Sequence, residues 1–174
     1  MRVLGVDPGT RHTGFGIVEE AEAGLARLTC LAMGVISPSN RLSMPGKLKK
    51  IHDGLVAVIL RHSPGVVVVE NTFLSKNIQI AFKLGQARGV ALLVGELHGL
   101  VVAEYTPTQI KLAMTGHGAA QKEQVSFMVS RILGLSAPPE TDHASDALAA
   151  AICYHHSFKM ENLNRPRPEE LSRR

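Results

Sequence analysis

Apolar residues recur along this chain with two periods, and the points where one period gives way to the other mark out its elements. VLGVD, TGFGIVEE and LARLTCLAMGVIS, at residues 3–7, 13–20 and 25–37, alternate or run apolar between glycine-rich and polar turns. That is the pattern of three consecutive strands, and it predicts an antiparallel meander. Over residues 42–62 the apolar positions Leu48, Ile51, Leu55, Val58 and Ile59 fall at helical spacing, and Pro64-Gly65 closes the segment. VVVVE at 66–70 is then a short buried strand that ends, against its own pattern, on a carboxylate.

The second half repeats the alternation of strand and helix. Residues 77–98 read as a helix kept thin by Gly85, Ala87, Gly89, Ala91 and Gly95, which suits close approach to a sheet or to another subunit. LVVAEY is a fifth strand. Thr106 caps a helix with Pro107 at its first position, and a further helix is predicted from about residue 119 to Leu133, before Gly134. Pro138-Pro139 interrupts, and a last helix opens near Asp142 and runs through ALAAAICYHH. The order predicts an α/β fold, with a five-stranded mixed sheet of three antiparallel strands and then two parallel ones, flanked by helices.

Composition narrows the organisation. At 174 residues and 45% hydrophobic content the chain suits one domain, 1–158, with a real core. The tail KMENLNRPRPEELSRR, 159–174, lacks apolar periodicity and is expected to be disordered, serving to solubilise the chain or to touch DNA. The net charge of +4 permits an anionic partner, but half of it resides in that tail. No signal peptide is apparent, and no apolar run approaches the roughly 20 residues that span a bilayer. A soluble cytoplasmic protein without a membrane partner is expected. Cys30 and Cys153 read as buried thiols in a reducing compartment.

The carboxylates change the picture. Asp7 ends the first strand, Glu70 the fourth, and Asp146 lies in the first turn of the last helix. Each alone has a structural use, in a turn, at a strand end or on a helix dipole. Gathered together they would repel, unless they hold divalent cations. Mg²⁺ takes oxygen ligands, and two ions roughly 4 Å apart can activate water and stabilise a leaving oxygen.

The segments GVDPGTRHTGFG, VVVVENTF, NIQIAFKLGQARGVA and DHASDALAAAICY together resemble the RuvC family of Holliday junction resolvases, in order and over residues 2–156. The resemblance implies a ribonuclease H-like fold and a homodimer that cuts four-way DNA junctions symmetrically with Mg²⁺, two ions per site, Mn²⁺ being able to substitute. It also implies partnership with a branch-migration complex of the RuvA and RuvB type.

Position by position, Asp7, Glu70 and Asp146 match the family's metal-binding acids. His143 stands where many relatives carry an acid. An offset of three puts it on the helix face of Asp146, where it could ligate metal or move a proton. Asp142 is the rival for that place and is expected instead to cap the helix. Phe73 matches an aromatic that stacks near the junction centre, and Lys111 and Lys122 match lysines near the scissile phosphate, Lys122 with a catalytic role. Arg11, Lys76, Lys83 and Arg88 are candidate phosphate contacts.

Two other functions compete. DPGT after a strand also resembles the phosphate loop of sugar kinases and actin-like ATPases, but those pair two such domains around the nucleotide. A non-catalytic junction-binding module should have lost acids, and none of the three is missing.

Overall fold

The computed structural model describes residues 1–21, 27–71 and 78–163, with side chains as far as Phe158. Strands β1 (Arg2–Asp7), β2 (Thr13–Glu20) and β3 (Leu28–Ile36) form the expected meander, while β4 (Val66–Glu70) and β5 (Val101–Tyr105) lie parallel beyond β1. The sheet order is β3-β2-β1-β4-β5. Parallel neighbours need crossovers. Helix α1 (Met44–His62) carries the chain from β3 to β4, and α2 (Ile78–Leu97) carries it from β4 to β5. Helices α3 (Pro107–Thr115), α4 (Lys122–Leu133) and α5 (Asp142–Leu163) follow.

Strand alternation sends the apolar run of β4 into two cores. Val66 and Val68 join Val3 beneath α3, α4 and α5, whereas Val67 and Val69 join Leu4 and Val6 beneath α1 and α2. A strand covered on both faces needs no polar side, which is why VVVV is continuous. Burial of each such valine contributes about 1.5–3 kcal/mol.

The backbone of α5 approaches the sheet closely. A Cβ at Gly5 would stand 1.9 Å from the carbonyl oxygen of Ala147, and one at Gly14 would stand 1.9 Å from that of His143. Only glycine admits the helix here. Along the buried side of α5, Ala144, Ala147 and Ala151 complete the fit.

Several termini follow the sequence signals, and others do not. Thr106 and Gln109 form a capping box at the start of α3, which ends on Gly116 with φ 77°. Helix α4 begins at Lys122 rather than near 119: Ala120 N–H closes a turn on the His117 carbonyl at 3.2 Å, and the Gln124 side chain accepts from Gln121 N–H at 2.9 Å. The alanines that looked helical are held in that turn. Helix α5 runs on to Leu163, past residue 158, so it takes in the first residues of the segment expected as tail; residues 164–174 lie outside the described ones. Cys153 is buried as expected, but Cys30 on β3 is only half-buried, and both thiols are free. Among the described residues no helix is long and apolar enough to cross a membrane.

Candidate metal centre

Strand period and register bring the first two acids together. Asp7 shares a sheet face with Val3 and Gly5, and Glu70 shares the same face with Val66 and Val68. Gly5 pairs with Val68 and Val6 with Val69, so the next step sets Asp7 beside Glu70 at the carboxyl ends of parallel neighbours. Open α/β sheets bind ligands at such ends. The first turn of α5, lowered onto Gly14, brings Asp146 over the same point. One oxygen from each of the three carboxylates lies within 4.8 Å of the others. They open into a cleft of about 340 Å³ also lined by Lys111, Lys122 and His143.

The charges there are poorly balanced. Burial, and then the negative charges of Asp7 and Asp146, push the Glu70 carboxyl up from 4.5 to about 8. Burial also raises Asp146, and outweighs the opposing pull of Lys122. The Lys122 ammonium lies 3.5 Å from Asp146 and 3.8 Å from Asp142, and the Asp146 carboxylate raises its pKa. Lys122 and the more weakly acting Lys111 do not neutralise three carboxylates. The unspent charge, an all-oxygen donor set and the short separations fit a hard divalent cation. Asp7, Glu70 and Asp146 would hold it.

His143 reaches the cluster through Asp7. Its Nδ1 is 2.7 Å from Asp7 Oδ2, so Nδ1–H donates to the carboxylate and Nε2 is left for another partner. It is not one of the three residues whose donors all lie within 4.8 Å of one another. The ring of His12 stands 5.5 Å from that of His143, and its own Nδ1 is 3.0 Å from Ser37 Oγ.

The expected cap of α5 is corrected. Thr141 Oγ1 accepts from Ala144 N–H at 3.2 Å, and the Thr141 carbonyl accepts from Ser145 N–H at 3.1 Å. Asp142 is therefore the first helical residue, with an exposed side chain turned toward Lys122. Both residues are good cap formers, and only backbone geometry chose between them.

The remaining candidates scatter. Lys111 lines the cleft, Arg11 is exposed in the β1–β2 turn, and Lys83 is exposed on α2. Arg88 is tied to Glu104 of β5 at 2.7 Å. Phe73 and Lys76 lie outside the described residues. Sequence reasoning missed His12 and Thr13. The buried Thr13 hydroxyl donates to the Gly9 carbonyl at 2.7 Å and accepts from Gly9 N–H at 3.3 Å, clamping the turn that follows Asp7. The signal was present in the spacing of GTRHT, four residues from Gly9 to Thr13.

A sheet of three antiparallel and two parallel strands, with acids from β1, β4 and α5 at one point, defines a metal-dependent nuclease of ribonuclease H-like fold. The comparisons with known proteins say which kind. The family described as "Crossover junction endodeoxyribonuclease RuvC" matches residues 3–155. The protein of that name from Pelobacter propionicus is 52% identical over 160 residues, covering 92% of this chain and 89% of that one. The RuvC of Thermus thermophilus in complex with Holliday junction substrate superposes with a TM-score of 0.86 at 36% identity, covering 92% and 96%. The yeast mitochondrial Holliday junction resolvase Ydc2, at 10% identity and a TM-score of 0.67 over 94% and 83%, shares the fold. The chain belongs to the RuvC family. It is a structure-selective, divalent-metal-dependent endonuclease that resolves Holliday junctions. The ATPase and the non-catalytic alternatives both fall, the first to the family match and the second to the intact acidic cluster.

Proposed function

We propose that Asp7, Glu70 and Asp146 hold two Mg²⁺ ions, and that the chain acts as a homodimer making paired symmetric nicks across a four-way junction. The observation that carries this reading is three carboxylates converging in a lysine-lined cleft without enough positive charge to balance them. When bound, the ions supply an activated water and stabilisation of the leaving oxygen. The chain's own residues do the rest. Glu70, its carboxyl pushed up by burial and by Asp7 and Asp146, would be held as a carboxylate by a bound cation. His143, oriented by Asp7, keeps Nε2 free to ligate or to carry a proton at the attacked phosphate. Lys122, 3.5 Å from Asp146, would with Lys111 offset charge developing on the phosphate oxygens.

Helix α2 supports the dimer. Ile78, Phe82 and Leu97 are exposed, at 81%, 72% and 65%, on a helix whose Ala87, Ala91 and Val94 already face the core. Positions Gly85 and Gly89 have open space beyond them, room for a partner's backbone. Two cuts on a two-fold junction need two such sites. The same reading implies a motor of the RuvA and RuvB type as partner, a cytoplasmic location beside the chromosome, and Phe73 acting at the junction. Asp7→Asn, Glu70→Gln and Asp146→Asn test the assignment. Each should abolish cutting of a synthetic junction while binding persists, and wild-type cutting by any one removes that residue from the mechanism.

A further inference from the structure

A second groove adjoins the catalytic cleft, and beyond their common lysine its residues have no part in the chemistry above. It shares Lys122 with the cleft, follows the outer side of α4, and ends at Arg131 and the loop around Ser136, enclosing about 480 Å³. Phe127 stands on its edge, 60% exposed on the outer side of a helix whose Val125, Val129 and Leu133 face the core. Phe127 and Arg131 are four residues apart and so lie on one helical face.

We propose that this groove carries the cut DNA strand away from the scissile phosphate, with a base stacked on Phe127 and a phosphate held by Arg131. The inference rests on the junction-cutting reading and names where the strand goes. Its lining offers a strand Lys122 and Arg131 at its ends, a hydroxyl at Ser126 and an exposed ring between them, with the acids Glu123 and Asp142 gathered at the Lys122 end. Phe127 lies five residues beyond Lys122 and Arg131 nine, which is about 7.5 and 13.5 Å of helix rise. At about 3.4 Å per nucleotide of a strand, these are roughly two and four nucleotides from the lysine at the cut. Among the described residues Arg131 has no ion pair. Asp142 is engaged by Lys122. The Ser130 hydroxyl is turned back onto the Ser126 carbonyl at 3.0 Å, which leaves Ser126, Ser136 and Arg131 as polar contacts for a strand. Glu123 stands one turn before Phe127 in the same row, at the Lys122 end of the groove.

The test measures binding of a synthetic four-way junction in Ca²⁺ without cutting, with 2-aminopurine placed one to five nucleotides to either side of the cut. Wild type should quench one position, about two nucleotides from the cut, by stacking. Phe127→Ala should abolish that quench and weaken affinity about 5- to 100-fold, and Phe127→Tyr should restore both. Arg131→Ala should lower the slope of log affinity against log salt by about 0.9. Because both side chains are exposed, melting temperature and its rise with Mg²⁺ should stay at wild-type values, which separates loss of contact from loss of fold. Wild-type affinity, quench and salt slope in both variants overturn the proposal and leave the ring to a protein partner. A wild type that binds but does not cut in Mg²⁺ overturns the catalytic reading while the groove is still decided. One that does not bind overturns both.

Discussion

Replacing Glu70 with glutamine removes the charge that the metal-free fold tolerates least. In the folded chain the carboxyl is pushed from 4.5 to about 8, chiefly by burial and then by Asp7 and Asp146. An acid whose folded pKa is raised binds its proton more tightly when folded, so the unfolded chain loses that proton first. Stability therefore falls as pH rises from about 4.5 to about 8. Each unit is about 1.4 kcal/mol, which gives a penalty of roughly 3 kcal/mol by pH 7 and a ceiling of roughly 5 kcal/mol above pH 8. Glutamine never ionises and escapes it. At about 2–4 °C per kcal/mol for a chain of this size, Glu70→Gln should melt roughly 6–12 °C above wild type at pH 7 in EDTA, and together with it near pH 4. Mg²⁺ should then raise wild type by binding the folded state, and raise the variant much less. Thermal melts from pH 4 to 8, with EDTA and with Mg²⁺, give all four curves. A variant that melts with or below wild type throughout the EDTA series would refute the claim that uncompensated charge accumulates at this site.

Five further substitutions, at four positions, probe the parts around the acids. Thr141→Ala should cost about 1 kcal/mol by denaturant titration, whereas Asp142→Asn should cost far less, since the threonine is the cap. Gly14→Ala puts a methyl on the His143 carbonyl, and should destabilise by about 1–3 kcal/mol and depress cutting by lifting α5 from the sheet. His143→Ala should lose most cutting with Mg²⁺ while His143→Asp retains much of it; equal activity of the alanine variant would remove the imidazole from the reaction.

What the sequence disclosed, it disclosed through periodicity. The continuous apolar run of β4 marked a strand covered on both faces, and the acid ending it marked the edge of a site, because strand alternation is local and visible in one dimension. Asp7 and Asp146 were legible for the same reason, each standing at the end of an element. The start of α4 was not, because Ala119 and Ala120 carry helix propensity and a turn hydrogen bond overrides it. The choice of Thr141 over Asp142 as cap depends on backbone angles that two adjacent good formers do not reveal. That Asp7 is the anchor of His143 depends on how near α5 comes to Gly14, a distance fixed by packing rather than by spacing. His12 escaped altogether, since its neighbour is more than a hundred residues away and joins it only across the β1–β2 turn.

The most direct test of the central claim gives purified wild-type protein a synthetic four-way junction and, separately, a linear duplex of the same sequences, each with Mg²⁺ and with EDTA, and maps every cut. The account expects paired nicks at symmetric positions in opposed strands of the junction, bearing 5′-phosphate and 3′-hydroxyl ends, with little cutting of the duplex and none in EDTA. Equal cutting of junction and duplex, or cutting that persists in EDTA, would contradict it.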